Sequence, residues 1–102
     1  MLKNPIKILR VDLTHRAIEI EEFPESLYRL YPGGKALAGY ILLRELPPHT
    51  EPFALENILI IANGLLTGSP LSTATRYIVS ARSPLTGAYG ESEAAGFWGP
   101  EL

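Results

Sequence analysis

The sequence of 102 residues contains no cysteine. Cysteine thiolates hold iron–sulfur clusters and many zinc ions, and they are the nucleophiles of cysteine-dependent enzymes. Their absence excludes a disulfide framework, a thiolate nucleophile and a thiolate-bound metal centre within these residues.

An excess of charge and long apolar segments are lacking as well. The formal net charge is −2, so long-range attraction to nucleic acid or to an anionic membrane is weak. Charged residues interrupt each short apolar run near the N-terminus, which leaves neither a signal-peptide core nor a membrane span. We therefore expect a cytoplasmic protein with no nucleic-acid partner and no membrane partner.

The composition is that of a small globular protein. Hydrophobic residues make up 46% of the chain and charged residues 20%, which is the ordinary range for folded domains. The length leaves no room for a second domain. We predict a single domain over residues 1–102.

Alternating apolar and charged side chains predict two strands, Ile6–Leu13 and Ala17–Phe23, that pair as an antiparallel hairpin. The alternation slips at Ile8-Leu9, which indicates a bulge. Glu19 and Glu21 are expected on an exposed face, where they are solvated charges.

One principal helix is predicted from Lys35 to Leu46, between a glycine pair and Pro47-Pro48. One or two helical turns are predicted earlier, within Pro24–Tyr31. Apolar residues cover most of the circumference of the principal helix, so we expect it to pack on more than one side. This surface also predicts that the isolated chain self-associates.

Two further strands complete an α+β fold with a mainly antiparallel sheet. Ile58–Ala62 is a continuous apolar run that suits a strand covered on both faces. Arg76–Arg82 alternates, with Ile78 and Ser80 on the same face as the two arginines.

The sequence contains only weak candidates for catalytic or metal-ligating residues. His15 lies in the predicted hairpin turn and His49 in a proline-rich loop, and neither has a second ligand at helical spacing. We interpret both as exposed loop histidines and predict no catalytic residue and no metal site.

Arg76 is the best candidate for an anion contact, because a guanidinium binds phosphate in a bidentate manner. It opens a strand beside a loop rich in glycine and threonine. The alternative is a salt bridge to a nearby glutamate. Arg82 lies on the same face but about 20 Å further along the strand, too far to share one phosphate.

Most glycines lie in turns. Their role there can be turn formation or anion binding by bare N–H groups, and the sequence leaves both interpretations open.

Several motifs occur together between Gly64 and Leu102. They are Gly64–Gly68, Arg76-Tyr77, Ser83–Gly87 and Gly96–Leu102. In this order and spacing they closely resemble the N-terminal domain of tungsten-containing aldehyde:ferredoxin oxidoreductases. The resemblance implies two similar, intertwined α+β halves that form a base for a bis-pterin cofactor of tungsten or molybdenum with magnesium. This chain matches the first half, and later helical domains carry the iron–sulfur cluster.

The resemblance also implies roles for individual residues. Arg76 matches a basic residue that approaches a pterin phosphate. The residues Glu93, Ala94, Ala95 and Gly96 match the loop that passes the cofactor's phosphates and their bridging magnesium. The family usually has Asn-Ser-Gly-Gly there, and an arginine is common where Lys35 stands. A carboxylate about 4 Å from a phosphate charge is repelled by roughly 1–4 kcal/mol unless magnesium lies between them.

Two hypotheses follow. In the first, the chain is the tungstopterin-docking N-terminal segment of an enzyme that oxidises aldehydes to carboxylic acids and reduces ferredoxin. It is not catalytic alone, and its partners are the remaining domains. In the second, it is a non-catalytic, stand-alone half-domain, an assembly module that pairs with a second copy as a homodimer, or with another partner, through its apolar helix and exposed strand edges.

Overall fold

The computed structural model describes residues 6–102. The chain forms two compact units, Met1–Tyr31 and Pro32–Leu102. The first contains β1 (Ile6–Asp12), β2 (Ala17–Phe23) and α1 (Glu25–Leu30); the second contains α2 (Gly34–Glu45), β3 (Ile60–Asn63), β4 (Tyr77–Arg82), β5 (Tyr89–Ala94) and α3 (Trp98–Glu101). Two small antiparallel sheets with few helices confirm the predicted α+β class. That the whole chain acts as a single domain stays a prediction.

The β1–β2 hairpin is regular from end to end. Ile6 lies opposite Phe23, and the register continues without a break until Asp12 lies opposite Ala17. The predicted bulge was therefore wrong. The alternation slips because both faces of the hairpin mix aliphatic and charged side chains, and the backbone pleat is not interrupted.

The hairpin turn is closed by Asp12. Its Oδ1 accepts hydrogen bonds from the backbone N–H of Thr14 at 3.0 Å and of His15 at 3.2 Å. Such bonds are typical of aspartate at the start of a turn. Arg16 completes the turn with a φ of 53°.

The two faces of the hairpin differ in burial. Phe23 is buried and Ile8 is half-buried on one face. Arg10 donates to Glu21 on this face, so Glu21 is ion-paired and half-buried, and the expectation of a simple solvated charge was wrong for it. Glu19 is exposed as predicted.

Helix α2 begins and ends within one residue of the predicted bounds. Gly33 and Gly34, with φ of 55° and 51°, turn the chain into the helix, and such values suit glycine because it lacks a Cβ. The helix buries Leu37, Ala38, Ile41 and Leu42. The apolar circumference of the helix had predicted packing on more than one side. Leu43 is 89% exposed, so within the described residues the helix is not covered all round.

The second sheet has the order β3-β4-β5. Ala38 of α2 packs with Ala62 and Ile78 in a small core, and Ile60 borders it. Ile61 is 44% exposed, so the prediction that β3 is covered on both faces was wrong for the described residues. Ile78 and Ser80 are both buried, which agrees with the predicted alternation of β4.

Strand β5 was not predicted. Its sequence, Tyr-Gly-Glu-Ser-Glu-Ala, is rich in residue types that are depleted in strands. It forms because it pairs along the whole of β4, from Arg82 opposite Tyr89 to Tyr77 opposite Ala94.

Candidate functional site

Arg76 and Glu93, two of the predicted site residues, lie side by side. Glu93 is opposite Ile78 in the β4–β5 register. Arg76 precedes β4 and shares a face with Ile78, so the arginine and the glutamate are diagonal neighbours. Arg76 Nη1 lies 3.3 Å from Glu93 Oε2, and the side chains are 72% and 45% exposed. The structure thus contains the salt bridge that was the alternative to an anion contact.

The predicted cofactor loop, Glu93 to Gly96, is a loop only in its second half. Glu93 and Ala94 belong to β5, because the edge of β4 pairs with them; Ala95 and Gly96 follow the strand. Gly96 has a φ of 121°, and a Cβ added there would meet no atom within 4 Å. Its backbone therefore lies beside open space, in a conformation that side chains disfavour.

Thr67 joins the loop after β3 to the start of β4. Its Oγ1 donates to the carbonyl oxygen of Arg76 at 2.6 Å and accepts from the N–H of Gly64 at 3.1 Å. The N–H of Gly68 donates to the carbonyl oxygen of Ala74 at 2.8 Å. These bonds fix the backbone from which Arg76 projects.

Helix α3 packs at the same end of the sheet. The rings of Trp98 and Tyr77 lie 4.8 Å apart between centroids, and Asn63 Nδ2 donates to the carbonyl oxygen of Gly99 at 2.7 Å. Asn63 Oδ1 is buried without a hydrogen-bond partner in residues 6–102. The structural roles of Asn63 and Thr67 were not predicted from the sequence. The Thr67-Gly68 and Trp98-Gly99 motifs were the sequence signals that could have indicated them.

A second polar cluster lies further along β4. The buried Ser80 hydroxyl is 2.7 Å from the hydroxyl of Tyr89, which donates to Glu91 at 2.8 Å. Burial is the main cause that raises the pKa of Tyr89. Lys35 Nζ lies 3.6 Å from Glu91 Oε1, so this lysine forms an ion pair within the protein.

An apolar groove of about 720 Å³ runs between α2 and this part of the sheet. Arg82, Tyr89 and Lys35 are among the residues that line it. Arg82 therefore belongs to this groove, whereas Arg76 lies at the other end of β4 beside Glu93. This separation agrees with the prediction that the two arginines do not grip one phosphate.

The histidines lie in exposed loops, as predicted. His15 Nδ1 is 2.8 Å from Asp12 Oδ2, and this hydrogen bond is the main cause that lowers the pKa of Asp12. His49 lies in the loop after α2 with a φ of 60°.

Within residues 6–102, no group of three or more histidine, aspartate or glutamate side chains is arranged to hold a metal ion. In the same residues no helix has the length and apolar character needed to cross a membrane.

Comparison with known proteins finds one family over nearly the whole chain. The protein-family model of the aldehyde ferredoxin oxidoreductase N-terminal domain matches residues 8–102 of this chain. The tungsten-containing aldehyde ferredoxin oxidoreductase of Pyrococcus furiosus is 42% identical over 102 residues, which are 100% of this chain and 17% of that protein. The enzyme of the same name from Pyrococcus abyssi is 43% identical over 96 residues, 94% of this chain and 16% of that protein.

A solved structure has the same fold. A chain of the active-site complex BamBC of benzoyl coenzyme A reductase, in complex with 1,5-dienoyl-CoA, superposes with a TM-score of 0.90 and 43% identity. The match covers 93% of this chain and 14% of that one. The present chain thus spans about one sixth of the length of its curated relatives. On the family match and these identities, the chain belongs to the aldehyde ferredoxin oxidoreductase N-terminal domain family.

Proposed function

We propose that the chain docks the phosphate end of a tungsten or molybdenum bis-pterin cofactor with magnesium, as the N-terminal part of an oxidoreductase. The observation that carries the proposal is the exposed Arg76–Glu93 pair, followed three residues after Glu93 by Gly96, whose Cβ position is open. The relatives are named tungsten-containing aldehyde ferredoxin oxidoreductases, and this name supplies the class of enzyme. The proposed whole-enzyme reaction is oxidation of an aldehyde to a carboxylic acid with reduction of ferredoxin.

The charges of the pair decide what kind of anion it accepts. Arg76 supplies a planar donor that matches two phosphate oxygens. Glu93 cancels that charge, so a bare phosphate gains little at this position and its oxygens are repelled by the carboxylate. A phosphate accompanied by a divalent cation fits better, because the cation then lies between the two negative groups.

Glu93 is a suitable ligand for that cation. Magnesium prefers oxygen ligands and is commonly held by one or two carboxylates together with phosphates and water. Residues 6–102 contain no preformed acidic cluster for a metal, so phosphate oxygens and water would complete the coordination. The donor set therefore fits a magnesium–phosphate group, and neither component alone.

Gly96 adds a place for close approach of the backbone. With a φ of 121° and open space at its Cβ position, it leaves main-chain N–H groups accessible to phosphate oxygens. Ala95 has no positive φ, so alanine in place of the family's glycine adds no strain there. When bound, the cofactor supplies the redox chemistry, and this chain binds and orients its phosphates.

Magnesium should control phosphate binding by the 102-residue chain. Isothermal titration with pyrophosphate is expected to show binding about tenfold tighter, or more, with magnesium than without it, because the cation removes repulsion of roughly 1–4 kcal/mol. Glu93→Gln should remove most of the magnesium dependence, and Arg76→Ala should weaken binding in both conditions. Arg82→Ala is the matched control. Equal losses from the two arginine variants, or full magnesium dependence in Glu93→Gln, would contradict the proposal.

The isolated chain should not turn over aldehydes. It has no cysteine to hold a cluster that removes electrons, and under the proposal the remaining domains and ferredoxin perform that step. The assay supplies the purified chain with tungstopterin, an aldehyde and either ferredoxin or a viologen dye. Sustained reduction of either acceptor by these residues alone would overturn the assignment of a docking role.

A second candidate function is a non-catalytic assembly module that pairs with a second copy of the chain. The observation that favours it is the exposure of large aliphatic side chains in both units, such as Ile18 at 71% and Leu43 at 89%. The titration above separates the two functions. An assembly module self-associates but shows no magnesium-dependent binding of pyrophosphate.

A further inference from the structure

We infer that the Asn63-Gly64 sequence is a deamidation site that is protected while helix α3 is docked on the sheet and reacts when α3 undocks. An asparagine side chain is lost most readily before glycine, because glycine has no side chain to shield the next main-chain nitrogen. The inference concerns a spontaneous modification of this chain and does not rest on cofactor docking.

The sequence directs the reaction to one position. The chain contains three asparagines, Asn4, Asn57 and Asn63, and no glutamine. Asn4 precedes Pro5, whose nitrogen carries no hydrogen. Asn57 precedes Ile58, and a β-branched side chain crowds the attacking nitrogen. Asn63 is followed by glycine, so loss of ammonia from this chain is expected there.

The reaction is an attack by the main-chain nitrogen of Gly64 on Cγ of Asn63. The new N–Cγ bond closes a cyclic succinimide, and the Cγ–Nδ2 bond breaks. The nitrogen of Gly64 gives up its proton, which leaves with Nδ2 as ammonia. Water then adds to either ring carbonyl and opens the ring. The product is an aspartate, or an isoaspartate whose main chain contains one additional methylene group.

The docked state holds both reacting groups in hydrogen bonds. The N–H of Gly64, the nucleophile, donates to Thr67 Oγ1 at 3.1 Å. Asn63 Nδ2, the leaving group, donates to the carbonyl oxygen of Gly99 in α3 at 2.7 Å. Asn63 also lies opposite Tyr77 in the β3–β4 register, and ring closure requires its main chain to rotate out of this extended conformation. Docking of α3 therefore protects the amide.

Helix α3 is a short element with no stability of its own. It contains four residues, fewer than an isolated helix needs to form in water. Trp98 and Leu102 at its two ends are 50% and 60% exposed, and Gly99 is its buried residue. Segments that bury so little open locally at a lower cost than global unfolding. The protecting contact to Asn63 is thus one that breaks while the sheet is still folded.

Undocking also changes the environment of the amide carbonyl. Asn63 Oδ1 is buried and has no hydrogen-bond partner in residues 6–102, so no described donor polarises Cγ for attack. A buried acceptor without a partner gains a hydrogen bond to water when its surroundings open. Opening therefore releases the leaving group and activates the carbon that is attacked.

The product does not restore the docked state. An aspartate at position 63 has no N–H to donate, so its carboxylate would face the carbonyl oxygen of Gly99 as a second acceptor. An isoaspartate would shift the main chain where Asn63 pairs with Tyr77. Deamidation thus converts a reversible undocking of α3 into a permanent one.

The test measures deamidation of the 102-residue chain by peptide mapping and mass spectrometry at mildly alkaline pH. We expect Asn63 to react about tenfold or more slowly in the folded chain than in guanidinium chloride, because only the open fraction reacts. Gly64→Ala is the control for the chemistry. Its Cβ would lie 3.4 Å from Thr67 Oγ1, an ordinary contact, and it should suppress the reaction in denaturant.

Two variants weaken the docked state from its two sides. Thr67→Val removes the acceptor that holds the N–H of Gly64. Gly99→Ala places a Cβ 2.9 Å from the carbonyl oxygen of Thr75 and should displace α3. In the folded state each should deamidate about tenfold faster than the unmodified chain. Circular dichroism checks that both are folded.

Leu42→Ala separates undocking of α3 from global unfolding. Leu42 is buried on α2 and lines the groove near Arg82, at the other end of β4. Its truncation costs more global stability than Gly99→Ala, yet it should accelerate deamidation less, because it leaves the contacts of α3 intact. Greater acceleration in Leu42→Ala would mean that global unfolding exposes the site.

Asn63→Asp reproduces the product. Trp98 is the one tryptophan of the chain, and its ring lies 4.8 Å from that of Tyr77, so its fluorescence reports docking. We expect red-shifted emission from this variant. Equal rates in the folded and denatured chain, unchanged rates in both Thr67→Val and Gly99→Ala, or unchanged emission in Asn63→Asp would each overturn the inference. These measurements contain no phosphate, so their failure is distinct from failure of the magnesium–pyrophosphate titration.

Discussion

Replacing Gly99 with alanine is expected to lower the unfolding free energy of the chain by about 1–3 kcal/mol, the usual cost of overpacking. A Cβ at this position would lie 2.9 Å from the carbonyl oxygen of Thr75, 3.2 Å from Tyr77 Cδ1 and 3.3 Å from Thr67 Cγ2. The closest of these atoms belongs to the backbone, so it cannot rotate away. The start of β4 or the helix α3 must shift.

The shift should also reach the phosphate site. Thr67 holds the carbonyl oxygen of Arg76, and the carbonyl oxygen of Gly99 accepts from Asn63 at the end of β3. We therefore expect Gly99→Ala to weaken pyrophosphate binding together with the loss of stability. Urea denaturation followed by circular dichroism measures the first effect, and calorimetric titration measures the second.

Gly39→Ala is the matched control for this variant. Gly39 lies inside α2, and a Cβ there would meet no atom within 4 Å. Alanine in a helix interior is favoured over glycine by roughly 0.5–1 kcal/mol, so this variant should be slightly more stable than the original chain. If Gly99→Ala denatures at the same urea concentration as the unmodified chain, the close packing of α3 on the sheet is not important for stability.

Local patterns predicted the elements that depend on local physics. The alternation of Ile18 and Ile20 with glutamates identified β2, and the breaks at Gly33-Gly34 and Pro47-Pro48 bounded α2 within one residue. Each of these signals acts within a few residues: side-chain alternation for a strand, and special backbone angles or a missing N–H for a helix end. The structure agrees with them for that reason.

Elements that depend on a distant partner were not predicted. Strand β5 carries Gly90, Glu91 and Glu93, residue types that are depleted in strands, and it is a strand because the edge of β4 is available. The same pairing brings Glu93 to Arg76 from 17 residues away in the chain. No local pattern gives that distance, so both the phosphate contact and the salt bridge were open when only the sequence was considered.

The exposure of the hairpin also lay beyond the sequence. Alternation shows that Leu9 and Ile20 occupy one face of their strands, but it does not show whether another element covers that face. In the structure that face is exposed, while Phe23 on the other face is buried. A pattern of apolar residues thus predicts where burial is favourable, but it does not identify what provides the burial.

The largest loss of stability is expected from Ile78→Ala, about 2–5 kcal/mol. Ile78 is 7% exposed and packs with Ala38 of α2 and Ala62 of β3. Removing most of its side chain leaves a cavity between the helix and the sheet. Folded domains are stable by roughly 5–15 kcal/mol in total, so this one change removes a large share of the stability of the second unit.

The position of Ile78 makes the effect reach beyond the core. Strand β4 is the central strand of its sheet, and Ile78 lies opposite Glu93 of β5, so loosening β4 should also disturb the Arg76–Glu93 pair. Leu85→Ala is the control, since Leu85 is 92% exposed and its truncation should change the unfolding free energy by no more than about 0.5 kcal/mol. Urea midpoints of the two variants should therefore differ widely. Similar midpoints would mean that α2 does not depend on this core for its attachment to the sheet.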